Sequence, residues 1–229
     1  MDPLFSEDDR QRIADAIETA ETDSVAEIVP YVVVRSGSYP AARWRGAAFG
    51  ALLGGALTLL LREGSPSVLP PIFSGELALA VPFVTGVLGA LAASMSPSLV
   101  RILTPTAELE RTVFRRAVQA FVDEEVFATR NRTGILLFVS LLERRIEVLA
   151  DRGIDDLVDE ATWTDVTDHI QQGIEADRLT RGLLNGIDRC AEVLEEHGVG
   201  TRPDDENELA NRLRRGGPPS GSDPEDPGA

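Results

Sequence analysis

The sequence predicts an α/β fold: a small mixed sheet sandwiched by helices, interrupted by a two-helix transmembrane hairpin. Three observations lead there. Two apolar runs of strand character, EIVPYVVV at 27–34 and GILLFVSLL at 134–142, lie far apart in the 229-residue chain. Between them, residues 46–61 and 77–100 carry no charged side chain. Everything else is polar, acidic and periodic. One strand ahead of the apolar block cannot make a sheet alone, so the segments on its two sides must fold together. The organisation follows: 5–40 as the first part of a domain, 41–103 as the hairpin with spans at about 44–62 and 77–99, 104–198 as the domain remainder, and 199–229 as a disordered acidic tail.

The elements follow in chain order. Ser6 can cap a helix over 6–22, with Asp9 three residues on in a variant of the capping box, and Ile13, Ala16, Ile17 and Ala20 form its apolar face. The β-branched run Val32–Val34 reads as a buried strand, and Pro30 as the mark of an edge or bulge. Beyond the hairpin, Thr106 can cap a helix to about Phe127, whose expected core contacts are Val113, Ala117 and Phe121, with Phe114 and Val118. GILLFVSLL is continuous enough to be a central strand buried on both faces. Glu143–Arg144 can bend it into RIEVLAD, with Ile146, Val148 and Ala150 on one side. Leu157, Trp163, Val166, Ile170 and Ile174 keep helical spacing. Asp177 can cap a last helix with Leu179, Leu183, Ile187, Cys190 and Leu194 inward and His197–Gly198 at its end. Residues 201–229 have no periodicity.

The apolar block reads as membrane-crossing because a soluble helix normally keeps a polar stripe, which neither run has. Gly46–Leu61 spans about 24 Å as a helix, short of the ~30 Å hydrocarbon core. Trp44 at the interface and Arg43, Arg45 and Arg62 snorkelling from the two ends extend it, and Arg101 closes the second run. Gly50, Gly54 and Gly55 offer a small-residue face to Gly86, Gly89, Ala90 and Ala93. REGSPSVLPPIFSG connects the two. It holds only Arg62, whereas arginines cluster before the first run and after the second, so both termini are expected on the cytoplasmic side of the inner membrane.

Composition narrows the chemistry. The net charge is −16, and all 22 basic residues are arginine. So acidic a chain is not built for nucleic acid. The single Cys190 excludes an intrachain disulfide, and the acidic opening MDPLFSEDDRQR does not read as a signal peptide. No P-loop, dinucleotide fingerprint or HExxH motif is present. His169 reads as a surface residue, His197 as a helix-end residue and Cys190 as a packed thiol. Ser36, Ser38 and Ser140 lack a neighbouring His or Asp in a nucleophile pattern. The remaining acidic cluster is DRGIDDLVDE. Asp151, Asp155 and Asp156 could offer oxygens to Ca²⁺ or Mg²⁺, although acids at a helix start also complement its dipole.

The runs FSEDDRQRIADAIETAE, EIVPYVVVRSGSYP, TGILLFVSLLERRIEVLADRGI and GLLNGIDRCAEVLEEH, with a Trp-containing helix between the last two, resemble the TPM domain. The arrangement is similar to a bacterial membrane-protein branch in which a transmembrane hairpin splits that domain. The resemblance covers residues 5–198. It implies an α/β/α sandwich and a link to photosystem repair, membrane-complex assembly, divalent-metal binding or acid phosphatase activity. One departure stands out. Where typical members carry Asp-Asn-Gly before the central strand, this chain has Arg132, Thr133 and Gly134, and an arginine supplies no ligand oxygen. The function expected is therefore a membrane-anchored, non-catalytic interaction module that assists assembly or maintenance of a membrane protein complex. Its expected partners are the lipid bilayer and a membrane protein. The alternatives are a metal-dependent phosphomonoesterase and a calcium-tuned binding module.

Overall fold

The computed structural model describes residues 4–22, 24–64, 76–176, 178–200 and 207–217, which fall into two compact units, 1–37 with 110–229 and 38–109. The elements run α1 (Glu7–Thr22), β1 (Glu27–Val33), α2 (Pro40–Gly64), α3 (Glu76–Met95), α4 (Pro97–Leu103), α5 (Thr106–Asp123), β2 (Gly134–Ser140), β3 (Arg145–Ala150), α6 (Arg152–Asp155), α7 (Glu160–Glu175), α8 (Leu179–Glu196) and β4 (Arg214–Arg215).

The first unit is built on a four-stranded mixed sheet of order β3-β2-β1-β4. β1 and β2 pair in parallel, Ile28 opposite Ile135 and Val32 opposite Val139, although residues 34–133 separate them. β2 turns back into antiparallel β3 through a tight bend at Glu143–Arg144, with Arg144 at φ 54°. Every residue of β1 and β2 is buried. Side chains alternate between two cores, as a pleated strand requires. Ile28, Val32, Ile135, Leu137 and Val139 face α1, α7 and α8, meeting Ile13, Ile17, Ile170, Leu183, Ile187 and Leu194. Val29, Tyr31, Val33, Leu136 and Phe138 face Val113, Ala117 and Ala120 of α5. Tyr31 and Phe138 stack with ring centroids 5.7 Å apart. This is the α/β/α sandwich.

The helix ends are set locally. In α1 the Ser6 hydroxyl accepts from the Asp9 amide at 3.1 Å, and the Asp9 carboxylate accepts from the Ser6 amide at 3.0 Å, a reciprocal box. The Ser6 hydroxyl, which also donates to the Asp9 carboxylate at 2.7 Å, and the Ser6 amide hold that carboxyl below its usual range. Asp159 caps α7 by accepting from the Thr162 amide at 2.9 Å. Asp177, expected to cap α8, lies outside the described residues.

Several expectations need correction. On α5, Phe114 and Val118 are exposed, and Ala120 packs inward in their place; the periodicity admitted both faces. Leu157 is exposed, and Ile154 and Val158 fill the core instead, because a short helix and a turn precede α7 rather than one continuous helix. The second apolar run is likewise two helices. Ser96 caps α4 with Pro97 at its first position, and the residue before a proline leaves helical geometry.

The largest correction concerns the tail. Residues 207–217 lie on the sheet, and β4 pairs with β1 at Tyr31 and Val32. β1 is thus an inner strand rather than an edge. Pro30 fits because β1 amides alternate in direction: Glu27 donates to Thr133 on the β2 side, whereas Ile28 donates to the other side, to the Glu21 carboxylate at 2.8 Å. Pro30 shares Ile28's parity, so its missing donor falls beyond the reach of two-residue β4. Buried charges attach the tail. The Glu27 carboxylate accepts from the amides of Glu208 at 2.8 Å and Leu209 at 3.1 Å. Arg214, itself buried, pairs with Glu124 at 3.1 Å, and Leu209 packs on the α5 core. No composition signal marks these few residues out within the acidic C-terminal stretch.

The second unit is an antiparallel pair, α2 and α3. Both helices are long and apolar enough to cross a membrane, over Pro40–Leu61 and Ala78–Met95, and only 11% of each window is buried. The contact is made of small residues. A Cβ added to Gly46 would lie 2.6 Å from the Gly89 carbonyl oxygen, and one on Gly50 would strike the Thr85 backbone. Ala93 is fully buried in the same seam. Gly46 thus joins Gly50 and Gly54, whereas Gly55 meets nothing closer than 3.8 Å. Backbones this close replace side-chain burial with dispersion contact.

Two outcomes follow from this architecture. Gly50→Leu should separate α2 from α3, seen as a drop in thermal stability of the detergent-solubilised chain of several degrees or more, whereas Gly55→Leu should leave it unchanged. The second concerns Glu21, whose carboxyl burial pushes up to about 8 from 4.5, helped by neighbouring Glu27 and opposed by the Ile28 amide. Folding therefore holds a proton that the unfolded chain releases, so its contribution is complete below about pH 4.5 and is lost as pH rises towards 8. Glu21→Gln keeps the acceptor for Ile28 and should flatten that decline, making the variant more stable than the parent at pH 8 in melts recorded across pH.

Candidate functional site

The acidic loop after β3 is the sequence's best candidate for metal chemistry. Asp151 ends β3 and caps α6: its carboxylate accepts from the Arg152 amide at 2.8 Å. Its other oxygen faces Arg132 Nε at 3.0 Å, an ion pair without the alignment of a hydrogen bond. Asp151 is buried, whereas Asp155, inside α6, and Asp156, at its C-cap, are exposed. Among the described residues no group of three His, Cys, Asp or Glu side chains converges to hold a metal ion. Asp159 is occupied with its cap, and the Thr162 hydroxyl and amide hold its carboxyl below the usual range.

Arg132 is firmly placed. Its φ of 59° belongs to a tight turn. Its Nη1 donates to the Phe127 carbonyl at 3.2 Å, its guanidinium lies 5.7 Å from the Phe127 ring centroid, and its own carbonyl accepts from the Gly153 amide at 2.8 Å. The fixed positive charge beside Asp151 competes with any added cation. The described residues of this loop therefore do not fit a divalent metal.

A second polar cluster went unrecognised in the sequence. The Ser36 hydroxyl donates to the Ser140 hydroxyl at 2.7 Å, Ser140 donates to the Glu143 carboxylate, and the Ser36 amide donates to the same carboxylate at 3.0 Å. All three residues are buried. The network ties the end of β1 to the β2–β3 bend. Its hydroxyls are sealed from solvent and have no histidine to activate them, so it is a strut rather than a nucleophile. The only sequence signal would have been three polar residues at the ends of otherwise apolar runs.

Cys190 is fully buried, and desolvation pushes its thiol up to about 12, an inert state. His169 Nδ1 lies 2.7 Å from the Asp165 carbonyl, and His197 Nδ1 lies 2.8 Å from that of Val193; both satisfy their own helices. In the apolar pair, Trp44 is 72% exposed and Arg43 is exposed. Arg45 donates to the Leu103 carbonyl at 2.9 Å and pairs with Glu108 at 3.7 Å. Arg101 donates to Ser98 Oγ at 3.1 Å. Arg62 lies in the last turns of α2. The helices' other faces are bare hydrocarbon: Phe49, Leu52, Leu53, Leu60, Leu79 and Phe83 are each at least 62% exposed.

Comparison with known proteins agrees with this architecture. Residues 84–193 match the family model described as the TPM domain. That match starts within α3 and runs into α8. A solved structure, the NMR structure of BA42 protein from the psychrophilic bacterium Bizionia argentinensis sp. nov., superposes with a TM-score of 0.57 at 17% identity, covering 94% of this chain and 98% of that one; at such identity the likeness is one of fold. No curated protein matches the chain.

The loop geometry makes a direct forecast. Calcium titrated into the full chain in zwitterionic nanodiscs should give no saturable heat, whereas Arg132→Asp, which puts a carboxylate where typical TPM domains carry one, should create a calcium heat that Asp151→Asn removes.

Proposed function

The chain carries a TPM domain and two helices able to cross a bilayer, and from that premise we propose that it is a membrane-anchored, non-catalytic interaction module that assists assembly or maintenance of a membrane protein complex. The observation that carries the anchoring is the α2–α3 pair. Its seam is closed by glycine and alanine, while the large apolar side chains are left outside. In water such a surface would aggregate, far exceeding the apolar patch a soluble monomer tolerates; in lipid it is solvated. The pair is inserted between two strands that lie side by side, so a bilayer excursion that goes out and comes back leaves the domain on one face of the membrane. Arginine distribution favours the cytoplasmic face of the inner membrane, with the connection between the two apolar runs outside.

Support for a binding rather than catalytic role comes from the acidic loop. Asp151, the acid best placed to recruit a metal, is taken up by a helix cap and by Arg132. The step from anchored domain to complex assembly is analogy with the TPM family.

Affinity capture of the full chain in mild detergent should recover the same membrane protein in replicate preparations, and the purified chain should leave p-nitrophenyl phosphate intact with Mg²⁺ or Ca²⁺ present. Metal-stimulated turnover abolished by Asp151→Asn would replace this reading with the phosphomonoesterase.

A further inference from the structure

A cavity of about 560 Å³ opens in the α/β unit, where α1, the β2–β3 bend, the end of α7 and the start of α8 meet. Four arginines line it: Arg12, Arg144, Arg178 and Arg181. They come from three separate segments, and no Asp or Glu stands among the described lining residues. In a chain of net charge −16 this local excess of positive charge opposes the protein's own field. Arg144, Arg178 and Arg181 form no ion pair among the described residues. Among the described residues, Asp9 interacts with Thr180 and Arg12 while its carboxylate is engaged by Ser6. Four arginines around one cavity, with no acid among its described lining residues, carry more positive charge than a single phosphate, about −2 at neutral pH, balances.

The rest of the lining specifies the other half of a ligand. Leu4, Leu141, Ile174 and Leu179 are apolar, so an anion bound here can carry a hydrocarbon body. The volume falls within the range of small-molecule sites. The location is the one open α/β sheets use, outside the carboxyl ends of the parallel strands: Leu141 and Arg144 follow directly on β2. Two local features assist. Arg144 is held at φ 54° in the bend. Leu179, Thr180 and Arg181 of the first turn of α8 line the cavity, at the helix end whose dipole favours an anion.

We propose that this cavity binds an organic diphosphate, its two phosphates held bidentately by Arg144, Arg178, Arg181 and Arg12 and its apolar moiety lying against Leu4, Leu141, Ile174 and Leu179. Arginine suits this role because its planar fork matches phosphate oxygens in pairs. The inference goes beyond the interaction-module reading and does not depend on it, since it concerns a ligand of the α/β unit whether or not a protein partner exists. The same chemistry could come from a water-soluble ester or from a diphosphate lipid held in the bilayer.

The test is calorimetric titration of the full chain in phosphatidylcholine nanodiscs with geranyl diphosphate, and separately with geranyl monophosphate. We expect saturable 1:1 binding of the diphosphate, at least tenfold weaker binding of the monophosphate, and at least a tenfold loss in the double variant Arg144→Gln/Arg178→Gln. Arg115→Gln, an exposed arginine of α5, should change nothing, and circular dichroism establishes that each variant is folded. Leu141→Ala, which leaves every guanidinium in place, should weaken geranyl diphosphate but not inorganic pyrophosphate. Repeating the titration in nanodiscs doped with a long-chain polyprenyl diphosphate separates the sources: loss of the heat assigns a bilayer-borne ligand, and retention assigns a soluble one. Absence of saturable binding, equal affinity for the monophosphate, or undiminished binding in the folded double variant would overturn the proposal.

Discussion

Pairing of β1 with β2 is the constraint from which the other features follow. Seven residue pairs, Glu27 with Gly134 through Val33 with Ser140, join segments far apart in the chain. Closing a loop that long costs conformational entropy, though only slowly more than a shorter one would, and the cost is offset where both strands are buried along their whole length. Because the strands are parallel, the connection must cross from one end of the sheet to the other, and a crossover can hold an insertion that a tight hairpin cannot. The two apolar helices, long enough to cross a membrane, occupy that allowance.

The same pairing fixes the polar parts of the domain. It brings Ser36 to Ser140 and Glu143 at the carboxyl ends of the strands, and Glu27 to the start of β2, where its carboxylate receives the amides of the returning tail. It also sets the parity that lets Pro30 sit inside a sheet. A slip of one residue would turn Ile28 and Val32 towards α5 and Val29 and Tyr31 towards α8, reversing both cores at once. Register is therefore held by burial on both faces rather than by any single contact.

Against that frame the chain's charges divide into several uses. Arg132 pairs with Asp151 in the acidic loop. Arg214 and Glu124 attach the tail. Arg12, Arg144, Arg178 and Arg181 stand around a cavity that lies beside the carboxyl end of β2. The apolar pair follows a different rule, since its helices are held by close backbone approach along Gly46, Gly50 and Gly89 and expose the side chains that a soluble protein would bury.

Much of this was written locally. The Ser6–Asp9 box, the strands at 27–33 and 134–140, the bend at Glu143–Arg144, the inward stripe of α8 and the two apolar helices each depend on residues within a few positions of one another. Periodicity and cap chemistry therefore specify them without reference to the rest of the chain. Tertiary structure alone decided which face of α5 is buried, that residues 207–217 complete the sheet, that Asp151 meets Arg132 rather than Asp155 and Asp156, and that four arginines from three segments share one cavity. Those outcomes depend on distances between side chains remote in sequence, which exist only once the parallel register has been set.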